Sequence, residues 1–297
     1  MSRHPIVRLV AGGAVALIIS AVLVAQAAER VLYVSVWDEA TRAPITGLGA
    51  DAFNVREDGN RREVLRVTPA TSPMSVAILV DNSQATTPTI ADLRRALAAF
   101  VKSLDGIGPI AIITVADRPT ILRDYTTDPK QLQDAAQRIF ALPGSGATLL
   151  DAIVEVSQGL AKRDSDRVAM VIVTGEDREY SNRYYKDVLD GLAKGGAMMH
   201  ALVLTGPGGA ALNDEARNRA SVLDIGPRVS GGLRTDVLTS QAFEVKLQEF
   251  AAILKSQHRV VYARPETLIP PEKIEVSAVK PGMAANGAPA RAPAAKK

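Results

Sequence analysis

Four apolar runs recur through the middle of this chain: SVAILVD (75–81), GPIAIITVAD (108–117), RVAMVIVTGED (167–177) and AMMHALVLTG (197–206). Small and β-branched residues without polar alternation, ended by polar or turn residues, read as strands covered on both faces. Between them the period changes. TIADLRRALAAFVKSL (89–104) has apolar residues at 90, 93, 97, 100, 101 and 104, a helical spacing. Asp128-Pro129 opens a second helix running to Leu142, with proline in its first turn. GSGATLLDAIVEVSQGLAKR (144–163) is a glycine loop feeding a helix that carries Leu149, Ile153, Val156 and Leu160 on one face. YYKDVLDGLAKGG (184–196) is helical and closes on a glycine pair suited to a C-cap. QAFEVKLQEFAAILKSQ (241–257) is amphipathic and leads into the strand HRVVYAR (258–264), while PTILRDYTT (119–127) is short enough to be an antiparallel neighbour of 108–117. The glycine-rich stretch 207–239 receives no assignment. Strand–helix alternation of this kind predicts an α/β fold, a Rossmann-like, doubly wound and mostly parallel sheet with helices on both faces.

The flanks have a different texture. RVLYVSVWD (30–38) alternates Val31, Tyr33, Ser35 and Trp37 against Leu32, Val34 and Val36. AFNVREDG (52–59), with a turn at Asp58-Gly59, and REVLRVTPA (62–70) follow without a helix. Residues 28–72 therefore form a small β module, and 73–264 the α/β domain. KIEVSAVKPG (273–282) alternates as one more strand, and a lone strand needs a partner. Residues 265–282 are accordingly expected to pack on the β module, and the Ala/Pro-rich 283–297 to be a disordered tail. At the other end Arg3, His4 and Arg8 precede the apolar run 9–25, and Ala25-Gln26-Ala27 offers small residues at signal-peptidase spacing. Residues 1–27 read as a signal peptide. Retained instead of cleaved, they would anchor the chain in a membrane; in both cases the remainder leaves the cytoplasm, to the periplasm, the cell envelope or the medium.

Composition narrows the chemistry. The chain has 297 residues and no cysteine, which excludes disulfides, zinc–thiolate sites and a thiol nucleophile. The formal charge of +3 includes Arg3 and Arg8, so the exported part is close to neutral, and no basic stripe interleaved with aromatics points to nucleic acid. Candidate chemistry gathers at the end of the first run, where Asp81 and Ser83 leave a buried strand. Ligand sites of open α/β sheets lie at such strand ends, and hard oxygen groups suit a divalent cation such as Mg²⁺. Other signals have plainer readings. GSGATL (144–149) lacks the Gly-Lys-Ser/Thr ending of a phosphate loop and is a turn into a helix. His200 and His258 sit in or at the start of apolar strands and read as structural. No nucleophile elbow surrounds Ser83. REDGNRRE (56–63) reads as a solvated hairpin turn. Tyr180, Tyr184 and Tyr185 cluster near the end of the third run, either as a binding surface or as helix packing.

Three loops, DNSQA (81–85), GATLLDAI (146–153) and VTGEDREYS (173–181), in this order and spacing, resemble a von Willebrand factor type A domain. With GLGADAFNVREDG (47–59), the chain from about 30 to 280 resembles the bacterial exported variety, in which a short β segment precedes that domain. The resemblance implies a metal-ion-dependent adhesion site holding Mg²⁺ or Mn²⁺, whose open position takes a carboxylate from a protein ligand. Carried over, Asp81 and Ser83 fit the first two places of D-x-S-x-S and Thr148 the second loop. Ala85 stands at the third place, and Gly175 stands where the third loop has an aspartate; Thr86, Glu176 and Asp177 are adjacent substitutes. Two readings follow. Either a modified metal site recognises an acidic side chain of a partner, or the site has decayed and Asp81, Ser83 and Thr148 serve as loop and helix caps. The expected function is a non-catalytic protein-binding or adhesion module. The alternative is a metal-assisted hydrolase on the same sheet, against which stands the absence of paired acid–base groups.

Overall fold

The structure, a computed structural model, describes residues 27–175, 178–206, 213–266 and 269–291. The expected signal peptide, apart from Ala27, lies outside the described residues, as do 292–297 of the expected tail and the substitutes Glu176 and Asp177.

The chain opens with β1 (Ala27–Asp38), β2 (Phe53–Glu57), β3 (Asn60–Arg62) and β4 (Val64–Pro69). The α/β part follows as β5 (Met74–Asp81), α1 (Ile90–Ser103), β6 (Ile110–Val115), β7 (Pro119–Thr126), α2 (Pro129–Gln137) and α3 (Leu149–Ala161). It continues through β8 (Arg167–Gly175), α4 (Tyr185–Gly195), β9 (Met198–Leu204), α5 (Asp214–Ser230), β10 (Arg234–Val237) and α6 (Phe243–Lys255). Three strands close the chain: β11 (His258–Pro265), β12 (Ile274–Ala278) and β13 (Met283–Pro289).

The central sheet has six strands in the order β10-β9-β8-β5-β6-β7, parallel except for the antiparallel β6–β7 edge. Period-2 geometry explains why its strands read as unbroken apolar runs. Met74, Val76, Ile78 and Val80 of β5 face α1, α2 and α6, while Ala77 and Leu79 face α3, α4 and α5. Every residue of β5 is buried. The chain lays β6 and β7 on one side of β5 and β8, β9 and β10 on the other, so the strand order reverses at the β5–β8 pair. The crevice at the carboxyl ends of these two strands is the topological switch point, where ligands of doubly wound sheets bind.

Helix α2 shows how local sequence fixes an element. Asp128 accepts hydrogen bonds from the Lys130 and Gln131 amides at 2.9 and 3.4 Å, Pro129 occupies the first turn, and Gln131 Nε2 donates back to Asp128 Oδ2 at 2.8 Å. Asp128 is thus a side-chain N-cap, braced by Gln131, while its own amide donates to Thr126 Oγ1 at 3.1 Å. Asp128→Ala is expected to lower the melting temperature by a few degrees, read by calorimetry, whereas Asp128→Asn retains most of it.

The flanking strands form two further sheets, β13-β1-β11-β4 and β12-β2-β3, which close around Leu32, Val34, Val36, Phe53, Val55, Val260 and Tyr262. The β2–β3 hairpin turns at Asp58 and Gly59, both with positive φ (48° and 81°), the geometry of a type I′ turn. Its base is not the solvated turn expected, because Glu57 is buried. The other face of β1 meets the α/β domain. Tyr33 Oη bonds to Ser72 and Asp166, and Gln257 Nε2 donates to Ser35 Oγ at 3.2 Å. Arg167 fixes the junction, donating to the carbonyls of Ala70 (3.2 Å), Ser72 (2.5 Å) and Leu254 (3.3 Å) and to Gln257 Oε1 (3.0 Å).

Two expected boundaries are corrected. Residues 258–264, assigned to the α/β domain, form β11, which pairs antiparallel with β1 and β4; the domain ends with α6. Arg259 and Arg264 interrupt the apolar run in a way the doubly covered strands of the central sheet do not tolerate. Residues 283–289, assigned to a disordered tail, form β13, paired with β1 from Leu32 to Asp38. Its residues are small because of how close neighbouring backbone comes. A Cβ at Gly287 would sit 2.7 Å from the Tyr33 carbonyl oxygen, and one at Gly231 would sit 2.4 Å from Gly287 backbone.

Candidate functional site at the sheet switch point

Asp81 ends β5 inside the crevice, fully buried. Its Oδ1 accepts the Ser83 amide at 3.0 Å, and its Oδ2 accepts the Thr174 hydroxyl at 2.8 Å from the end of β8. Three loops interlock around it. Gln84 N donates to the Ser145 carbonyl at 3.4 Å, Gly144 N to Gln84 Oε1 at 2.6 Å, and Leu142 N to the Asn82 carbonyl at 2.8 Å. Ala147 and Glu179 form a parallel bridge. The Tyr180 ring lies over Gly146, where any Cβ would fall inside the ring.

The residues singled out from sequence lie on these adjoining loops with definite duties. Ser83 is buried, and its Oγ has no hydrogen-bond partner among the described residues. Thr148 donates its hydroxyl to the Ala116 carbonyl at 2.8 Å, just ahead of α3. Thr86 donates to the Ser83 carbonyl at 2.8 Å and closes a 3₁₀ turn. Among the described residues Thr174 is the one hydroxyl that bonds Asp81.

The decisive residue is Arg219, delivered by the second turn of α5. Its Nη2 lies 3.2 Å from Asp81 Oδ2, donates to the Gly175 carbonyl at 2.8 Å and bonds the Thr174 hydroxyl. Its Nη1 lies 3.7 Å from Glu179 Oε2. Arg219, Asp81 and Glu179 are all nearly inaccessible, at 3%, 1% and 2% exposure. Glu179 Oε1 also accepts the Ser181 amide at 3.0 Å. Burial pushes the Glu179 carboxyl above its ordinary range, with Arg219 and the Ser181 bonds pulling the other way. A buried charge persists only when paired, and Arg219 pairs with both carboxylates, hydrogen-bonding Asp81 and meeting Glu179 as an ion pair alone.

Sequence reasoning missed Arg219, Thr174 and Glu179. Arg219 had a signal. The buried positions of α5 are Ala216, Arg219, Val222, Leu223, Gly226 and Pro227, so an arginine stands in a helical stripe of apolar residues. Asn213 is its N-cap, accepting the Ala216 amide at 2.9 Å. A cation in such a stripe announces a buried anion elsewhere in the fold.

Residues 76–177 match the family model of the von Willebrand factor type A domain. This stretch of the chain is similar to a von Willebrand factor type A domain. Such domains generally mediate protein–protein interactions. The match spans β5 to the loop after β8 and so includes Asp81, Ser83 and Thr148 but stops short of Arg219. Among solved structures the chain is similar to proximal thread matrix protein 1 of the mussel byssus, with TM-score 0.50 and 7% identity over 63% of this chain and 50% of that one. It is also similar to a von Willebrand factor type A protein from Catenulispora acidiphila (TM-score 0.48, 9% identity, 89% and 72% covered). A third is BatB from Bacteroides thetaiotaomicron (0.47, 15%, 62% and 100%). At 7% identity the likeness to the byssus protein is one of fold alone. No curated protein matches the sequence significantly.

The type A fold implies a divalent ion at Asp81, and the residues present do not fit one. Both oxygens of Asp81 already accept hydrogen bonds, and Oδ2 also faces the Arg219 guanidinium. An ion bound there would share that oxygen with a fixed positive charge in a site that excludes water, where like charges repel most strongly. Mg²⁺ also needs near-octahedral oxygen ligation, and Ala85 and Gly175 offer no side-chain oxygen. Neither histidine described serves Ser83: His200 packs on Phe250 and His258 on Phe53.

Proposed function

We propose that this chain is an exported, non-catalytic binding protein whose type A domain docks a protein partner on the loops at the carboxyl edge of its sheet. The observation that carries the reading is the apolar and aromatic surface those loops present. Phe140, Leu142, Tyr180 and Tyr184 are exposed, on segments pinned to one another by the backbone bonds around Asn82 and Ala147. Aromatic side chains on a rigid support are the usual anchors of protein interfaces. Arg138 and Arg178 are exposed on the same loops and Arg118 on the adjoining β6–β7 turn, a basic rim suited to acidic side chains of the partner without a metal between them. Export is supported by the charged, apolar and small-residue pattern of 1–27. Among the described residues no helix is long and apolar enough to cross a membrane.

The test is capture of a partner from cell-envelope extract by the full chain and by a Phe140→Ser/Tyr180→Ser/Tyr184→Ser variant. A single specific protein is expected on the wild type, reduced at least about tenfold on the variant, with equal melting temperatures. Undiminished capture by the variant would place the interface elsewhere, and turnover of a substrate panel without capture would favour a catalytic role.

A further inference from the structure

We infer that Arg219 is a built-in cation that replaces the divalent ion of the type A site, making the loop arrangement around Asp81 permanent and independent of metal. The inference concerns the cation alone and does not depend on what the edge loops bind. Three observations carry it. The guanidinium reaches the loop after β8 and the carboxylate ending β5 together, through Gly175, Thr174 and Asp81. A cation is needed there, because Asp81 and Glu179 are two buried carboxylates on adjoining loops. Two family positions, Ala85 and Gly175, have no side-chain oxygen to offer a metal. At Gly175 the backbone carbonyl instead accepts from Arg219 at 2.8 Å, which a planar donor fork can use.

The consequence is physical as well as descriptive. A metal can leave, so a metal-held loop set has two states. A side chain tethered to α5 cannot diffuse away, and releasing it takes a rearrangement of the buried side chain or local opening of the helix. Docking on this edge is then insensitive to chelators and to divalent-ion concentration, and the loops hold one arrangement.

The experiment uses the full chain, with Mn²⁺ as the probe. Calorimetric titration and melting curves are run at up to millimolar Mn²⁺ and with EDTA, for the wild type, Asp81→Asn, Arg219→Met and Arg219→Lys. The wild type is expected to give no binding heat and the same melting temperature in all conditions. Sub-millimolar Mn²⁺ binding by the wild type that disappears in Asp81→Asn would overturn the inference. Arg219→Met, which keeps the length and loses the charge, is expected to melt several degrees lower, and its melting temperature is expected to rise with Mn²⁺. An unchanged melting temperature in Arg219→Met would also overturn it. Should Arg219→Met fail to fold, Arg219→Lys decides: it is expected to fold and to melt closer to the wild type, because the charge is kept. Failure of Arg219→Lys as well, together with Mn²⁺ binding by the wild type, would count against a cationic role.

Discussion

Glu57→Ala is expected to destabilise the β module by about 3–5 kcal/mol, the cost of removing one partner from a buried ionic cluster. Glu57 is 2% exposed at the end of β2. Its Oε2 takes Arg62 Nε at 2.9 Å and Arg264 Nε at 3.1 Å, and its Oε1 accepts the Tyr262 hydroxyl at 2.7 Å. Arg62 belongs to β3, and Arg264 and Tyr262 to β11, so one carboxylate ties the two sheets of the sandwich together. Burial and the adjoining carboxylate hold the Tyr262 phenol well above its usual value, so it donates at every physiological pH. Alanine leaves two guanidinium groups facing each other with nothing between them. The single tryptophan, Trp37, lies buried in β1 of the same module, so its fluorescence during urea unfolding reports this region selectively. Tyr262→Phe, which removes one hydrogen bond and keeps the ion pairs, is expected to cost only about 1 kcal/mol. Equal losses in the two variants, or none in Glu57→Ala, would show that the cluster is not what joins the sheets.

Glu57 also illustrates where the sequence was readable and where it was not. The α/β alternation was legible because strands covered on both faces are almost wholly apolar, so 76–80, 110–113 and 168–173 announce themselves. The Asp58-Gly59 turn was legible because positive φ at both centres selects for those residues. Glu57 itself was read as solvated, since a carboxylate beside two arginines looks the same in sequence whether it faces water or two guanidinium groups. Strand β13 was hidden for another reason. Met283–Pro289 buries little apolar surface, and its contribution lies in the backbone ladder to β1 and in side chains small enough to approach Gly231.

At the crevice the pattern repeats. Asp81, Ser83 and Thr148 could be placed because each follows or precedes a strongly periodic element. The cation that faces Asp81 comes from 138 residues further along, out of a glycine-rich stretch with no assignable period. A pairing of that sequence separation is set by the folding of α5 over the sheet, and only the mismatch of an arginine in a buried stripe marks it locally. The two vacancies at Ala85 and Gly175 and the arginine in α5 are thus one fact seen from two ends of the chain.

His200 gives the second large effect, and it is a pH effect. The imidazole lies in the centre of β9, wholly buried against Phe250, and neither ring nitrogen has a hydrogen-bond partner among the described residues. Burial pulls its pKa down to about 4 from the ordinary 6.5. The unfolded chain therefore binds a proton that the native state refuses wherever the pH lies between these values. Stability from this group is complete above pH 6.5 and is lost progressively as the pH falls to about 4, with a slope of at most about 1.4 kcal/mol per pH unit and a total of roughly 3 kcal/mol. His258 shifts in the same direction through burial, but it is common to both chains of the comparison proposed. His200→Leu removes the titrating ring and its two unsatisfied nitrogens while keeping an apolar side chain beside Phe250. Urea unfolding of the wild type and of His200→Leu at pH 7.5, 5.5 and 4.5 is expected to show the variant gaining on the wild type as the pH falls, by roughly 2 kcal/mol at the lowest pH. Stability curves that stay parallel across this range would mean that His200 is protonated or solvated in the native state, and that β9 is less tightly covered by α6 than the fold shows.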